Sequence, residues 1–176
     1  MARQLGGASG VGDELLDVVV IGGSQAGLAM AWHLARQHLR FVVLEAGPEP
    51  GHVWRSRWDS LLLFTPAQYA ALPGMPFPGS PGAYPAKEQV AGYLNAYAAE
   101  FNLPVRLNTR VTALTRTEEA FEARADTGVF RARQVVVATG PFQVPYVPPA
   151  AQQGLSAQPC HLMLFESGTP RRRRRA

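Results

Sequence analysis

Four positions near the start of the chain carry most of the chemistry that residue type and spacing can supply. In "VVVIGGSQAGLAMAW", Gly22, Ser24 and Gly27 follow an apolar run and precede a helical pattern, and Glu45 stands 18 residues past Gly27. The spacing is that of the G-x-G-x-x-G loop with serine at its middle position. In such a loop the first glycine permits a tight turn. The middle position lets backbone N–H groups approach a pyrophosphate, and the last glycine lets helix and strand pack closely. The helix N-terminus then offers donors and a positive dipole end to the anion. Ser24 is small and its hydroxyl can itself donate to a phosphate oxygen, and Gly22 and Gly23 together add freedom at the turn. A carboxylate at Glu45 accepts from ribose hydroxyls and repels a 2′-phosphate, which favours FAD or NAD over NADP at this loop.

These residues work only where a strand delivers the loop and a helix receives it. Residues 18–21 read as a buried parallel strand, 25–37 as a helix and 41–44 as a second strand, a β-α-β unit of the usual size. Residues 47–86, rich in proline and glycine, form a long ordered excursion. Residues 87–101 form an amphipathic helix, with Val90, Tyr93, Leu94, Tyr97, Ala98 and Phe101 recurring at helical spacing. A short strand is expected at 105–107. A three-stranded meander is expected over 111–116, 120–126 and 129–133, with "DTG" turning into "VFRAR". "QVVVATG" is then a separate buried strand ending at Gly140. Tyr93 and Tyr97 are expected to serve packing.

Composition narrows the function classes. With 176 residues, 47% hydrophobic and 17% charged, the chain is globular and can bury a sizeable core. The net charge of +4 comes from Arg171 to Arg175, without which the chain carries 12 basic against 13 acidic residues. Nothing in a near-neutral body suggests a nucleic-acid groove, and the terminal run reads as a solvated tail. One lysine, Lys87, stands against 16 arginines, a compositional bias toward arginine. A lone cysteine, Cys160, excludes an internal disulfide. No metal-ligand spacing links the four histidines. No signal peptide or membrane span is legible, so a cytoplasmic protein without a membrane partner is expected.

FAD and NAD both suit the loop itself. A simple NAD domain would continue with further β-α units, whereas here a helix and a meander intervene before "VVVATG". The segments "IGGSQAGLA", "LEAGPEPGHVWRSRWDSLLLFTPA", "YPAKEQVAGYLNAYA", "NTRVTAL" and "VVVATGPFQVPYVP" resemble the N-terminal half of the flavin-dependent, NADPH-requiring single-component monooxygenases over residues 17–148. The resemblance implies an α/β fold, a Rossmann-like FAD-binding domain with an inserted helix and three-stranded β-meander. It implies that backbone at Gly22, Ser24, Gln25, Ala26 and Gly27 meets the FAD pyrophosphate and that Glu45 holds the adenosine ribose. Trp54 and Arg55 fall in the segment that runs beside FAD in such proteins. Val111 would meet the adenine by main chain, and Thr139 and Gly140 would approach the flavin. Two positions depart from the pattern: Ser24 replaces glycine, and His52 stands where such proteins often have a second glycine before the tryptophan.

The expected organisation is a flexible leader over 1–14, an FAD-binding domain over 15–148 and an irregular basic tail over 149–176. In full-length relatives of this kind NADPH binds a second glycine-rich loop and reduces the flavin, which then activates oxygen. No second G-x-G-x-x-G occurs in this sequence. The expected protein is therefore the FAD-binding portion of a flavin monooxygenase-type oxidoreductase, truncated before its NADPH domain, with apolar surface exposed for self-association. The alternative is a non-catalytic flavin-binding protein, or a remnant whose arginine tail binds anions.

Overall fold

A computed structural model describes residues 14–140, and these form six strands, three α-helices and one 3-10 turn. The leader up to residue 13, the segment after Gly140 and the tail with Arg171 to Arg175 lie outside the described residues. The strands are β1 (Leu15–Ile21), β2 (Phe41–Leu44), β3 (Val105–Arg106), β4 (Val111–Arg116), β5 (Phe121–Ala125) and β6 (Gly128–Val137). The helices are α1 (Gln25–Arg36), α2 (His52–Arg55) and α3 (Lys87–Glu100), with the 3-10 turn at Ala67–Tyr69.

One sheet runs in the order β3-β2-β1-β6-β5-β4. Its first four strands are parallel, and β5 and β4 close it as antiparallel neighbours. Alternation along β1 separates the two faces. Val18 and Val20 join Leu28, Ala31 and Leu34 of α1 and Val90, Leu94 and Tyr97 of α3 in one core. Val19 and Ile21 join Val42, Leu44, Ala123 and Phe130 in a second. The chain is thus the α/β, Rossmann-like arrangement expected, with α3 inserted and the meander appended to the sheet.

One boundary differs. The third meander strand and the returning "QVVVATG" strand are a single ten-residue strand, β6. Its first half pairs with β5, from Gly128 against Ala125 to Ala132 against Phe121. From Arg131 onward it pairs with β1, ending at Val137 against Ile21. No turn residue interrupts 128–137, so β pairing continues where residue type alone suggested two segments. The proline-rich excursion is ordered as expected and also holds α2 and the 3-10 turn. It is fastened to α3 by Tyr93 Oη, which donates to Met75 O at 2.7 Å and accepts from Leu72 N at 2.7 Å, and by Tyr97 Oη, which donates to Pro73 O at 2.6 Å. Both tyrosines serve packing.

Candidate functional site

The parallel strands β1 and β6 lie side by side, but their connections leave in opposite directions: β1 continues through α1 to β2, while β6 arrives from the β4–β5 hairpin. Such a switch point opens a crevice at the carboxyl ends of the strands. A cleft of about 490 Å³ lies there, lined by Ser24, Gln25, Ala26, Val53, Trp54, Arg57, Val137, Ala138, Thr139 and Gly140. Of the residues singled out in the sequence it gathers Ser24, Gln25, Ala26, Trp54, Thr139 and Gly140.

Gly22 and Gly27 build the cleft from behind. Gly22 has φ of +109°, and a Cβ on it would sit 2.5 Å from Ala138 O. A Cβ on Gly27 would sit 1.9 Å from Gly22 O. The loop therefore turns tightly against β6, and α1 begins close to the sheet. Gly22 N donates to Leu44 O, and Ala138 N to Ile21 O, each at 2.8 Å, which ties the ends of three strands together. Ser24 is the N-cap of α1 with extended backbone, yet its hydroxyl makes no capping hydrogen bond. The first turn of α1 holds no acidic residue, so nothing there opposes an anion.

Glu45 stands just past β2, half-buried. Its carboxylate accepts Gly23 N–H at 2.7 Å and Gly47 N–H at 2.7 Å. A carboxylate offers about four lone-pair directions, so these two bonds brace the loop and leave acceptor capacity. Thr109 N donates to Glu45 O at 2.8 Å and Asn108 N to Gly47 O at 2.9 Å, bringing the approach to β4 beside Glu45. Val111 itself lies on β4, packed against the second core cluster rather than in the cleft lining.

Trp54 and Arg55, adjacent in sequence, part company in the fold. Trp54 lines the cleft, whereas the Arg55 guanidinium donates to Glu49 through Nε and to Glu88 through Nη1. The Arg55 hydrogen bond, strengthened by its charge and by Asn95, holds the Glu49 carboxyl below the usual carboxylate range despite some desolvation. The arginine in the cleft wall is Arg57, which the sequence reading did not single out. No spacing pointed to it: α2 ends at Arg55, and Arg57 lies in the turn that follows, outside the helical period. His52, at the start of α2, buries its Nδ1 without a hydrogen-bond partner among the described residues. Among the described residues no group of three or more His, Cys, Asp or Glu is placed to hold a metal ion, and no helix is long and apolar enough to cross a membrane.

A glycine turn at a parallel-sheet switch point, with a braced acid after the second strand, defines a dinucleotide-binding oxidoreductase domain. The chain belongs to the pyridine nucleotide-disulphide oxidoreductase family, whose model matches residues 19–172. It is 48% identical over 138 residues to an uncharacterized CzcO-like oxidoreductase of Geobacillus kaustophilus, covering 78% of this chain and 40% of that protein. Its fold is similar to that of a flavin-containing monooxygenase from Stenotrophomonas maltophilia, with a TM-score of 0.72 and 40% identity over 77% of this chain and 41% of that one. It is also similar to OTEMO in its complex with FAD and NADP, with a TM-score of 0.64 and 28% identity over 76% of this chain and 27% of that one. The chain spans about 40% of the length of the CzcO-type curated relatives it matches.

Proposed function

We propose that residues 15–148 form an FAD-binding domain of a flavin monooxygenase-type oxidoreductase and that FAD occupies the cleft at the β1/β6 switch point. The observation that carries this reading is the Glu45 carboxylate, held beside the glycine loop by two backbone N–H groups with lone pairs to spare. The cradle fits such a group: Gly22 and Gly27 leave the close approach that a Cβ would fill, and the cleft volume lies in the usual range for cofactor sites. Backbone at Gly22, Ser24, Gln25, Ala26 and Gly27 receives the pyrophosphate at the α1 N-terminus. Glu45 accepts from the adenosine ribose, and its charge opposes a 2′-phosphate. Val111 meets the adenine by main chain, supported by the ties that hold 108–109 to 45–47. Trp54, Thr139 and Gly140 face the flavin, and Arg57 joins them as a cleft cation. Arg55 acts at one remove, by anchoring α2. When bound, FAD supplies the redox chemistry; the chain binds it, orients it and shields one side.

NADPH has no evident second site in the described residues, so we place hydride delivery outside this portion. The protein is assigned to the cytoplasm, with FAD as its partner and neither nucleic acid nor membrane as another. The test is titration of the purified full chain with FAD and with NADP, followed by anaerobic addition of NADPH to the loaded protein. Saturable FAD uptake, weak NADP uptake and slow flavin bleaching are expected. No saturable FAD uptake would overturn the assignment, and rapid bleaching would overturn the division of labour.

Self-association is part of the same reading. Phe64 is 95% exposed, and Leu62 and Tyr84 are exposed with it, around a hollow of about 440 Å³ lined also by Trp58, Leu61 and Leu63. An apolar patch of this kind marks a contact surface. Concentration-dependent mass in light scattering that Phe64→Glu abolishes is the expected result.

A further inference from the structure

The sole lysine of the chain, in a sequence that uses arginine 16 times, is Lys87, the first residue of α3. Its Nζ donates to Asp59 Oδ1 at 2.7 Å, Arg57 O at 2.8 Å and Arg55 O at 3.2 Å. Three acceptors thus meet the three donors of one ammonium. The Lys87 side chain is 12% exposed, while that of Asp59 is 67% exposed. The carbonyls lie at and just past the end of α2, where a helix has no partners of its own to offer. A guanidinium, with planar donors spread over three nitrogens, cannot converge on them from one point. The next residue, Glu88, takes the Arg55 guanidinium, and Lys87 N donates to Leu61 O at 3.3 Å. The start of α3 therefore grips the excursion where α2 ends, and two residues of the gripped segment, Trp54 and Arg57, form part of the cleft wall.

We propose that Lys87 is a positioning residue for the cleft: its ammonium fixes the turn over 55–59 and thereby sets Trp54 and Arg57 against the glycine loop. The proposal rests on the cleft being the FAD site. Lys87 lines no part of the cleft and acts through the turn. Its removal takes a charged donor from the Arg55 and Arg57 carbonyls, which frees the turn to open. Because Arg55, the last residue of α2, stays bound to Glu49 and Glu88, α2 remains attached while the turn that follows it moves.

The experiment compares the full chain with Lys87→Arg, Lys87→Met and Asp59→Asn. In cofactor-free protein, amide exchange over 54–60 is expected to quicken about tenfold in both Lys87 variants, with β1 amides unchanged and Asp59→Asn close to wild type. The FAD dissociation constant is expected to rise about tenfold in both Lys87 variants and to recover in neither, since restoring charge as arginine does not restore the geometry. In wild-type protein, saturating FAD should slow acylation of the Lys87 amine about tenfold, because coupling between two sites is reciprocal. That arm needs no variant to fold. Unchanged exchange over 54–60 in both variants, full rescue by arginine, or faster exchange with unaltered FAD affinity would each overturn the proposal. Failure of wild-type protein to take up FAD at all would instead overturn the cofactor assignment, and the exchange data would then decide on the grip alone.

Discussion

Glu45 holds Gly23 from the end of the neighbouring strand, its Oε2 accepting the Gly23 N–H at 2.7 Å. The acid proposed to recognise the ribose is therefore also a brace of the phosphate loop. Glu45→Ala should weaken FAD binding by roughly 1–3 kcal/mol, since a charge-assisted acceptor is lost to ligand and loop alike. Glu45→Gln keeps an acceptor oxygen and should fall between the two. Fluorescence titration of the three proteins with FAD checks the order, and equal affinity across them would remove Glu45 from the site.

Ser24 reaches the cleft, and as the N-cap of α1 it makes no side-chain capping hydrogen bond. Ser24→Gly should therefore retain or improve FAD affinity and leave thermal stability within about 0.5 kcal/mol, as expected where no specific contact is lost. Ser24→Leu should fill the approach to the α1 N-terminus and abolish binding. A leucine variant that purifies with a full complement of flavin would place the pyrophosphate elsewhere.

Gly27 admits no side chain, since a Cβ would lie 1.9 Å from Gly22 O. Gly27→Ala must push α1 off the sheet or distort the turn at Gly22. A loss of about 3 kcal/mol or more is expected, at the upper end of overpacking effects. Gly92, whose Cβ would meet nothing within 4 Å, is the control: Gly92→Ala lies within α3 and should stabilise by up to about 1 kcal/mol. Denaturant midpoints measure both.

Tyr97 is wholly buried, and burial, with Tyr93 adding to it, pushes its hydroxyl up to about 12. The folded chain holds this proton at a pH where the unfolded chain has released it. The stabilisation is therefore complete below the ordinary tyrosine value of about 10 and is lost as pH rises from there toward about 12. Tyr97→Phe should flatten that alkaline loss. It should also lower stability at neutral pH by roughly 1 kcal/mol, because Pro73 O loses its donor. Urea unfolding across the alkaline range reads both effects.

The β-α-β unit and α3 were legible because apolar periodicity dictates them: the residues read as the buried stripe of α3, Val90, Tyr93, Leu94, Tyr97 and Ala98, are buried, with Phe101 half-buried at its end. The single strand β6 was not, since alternation within "GVFRAR" and the unbroken apolar run of "QVVV" are different patterns that one strand satisfies by changing neighbours midway. The glycine loop and Glu45 were legible from spacing. The split between Trp54 and Arg55 was not, because neighbouring residues on a single helical turn diverge and only tertiary partners, here Glu49 and Glu88, decide which one turns inward. Arg57 and Lys87 gave no motif at all; their places follow from how the proline-rich excursion is folded back on α3.

The double duty of β6 bears on how the molecule comes apart. Arg131 and Ala132 pair with Leu15 and Leu16 on one side and with Glu122 and Phe121 on the other. They splice the parallel sheet to the hairpin. Neither part can peel away without exposing a strand that the other needs, so the two belong to one cooperative melting unit despite their different sequence character. A chain nicked in the turn at 126–127 would separate β6 from everything it pairs with. Its two pieces should regain the fold only together, by strand addition, and the domain is in that sense divisible at a place where it is not modular.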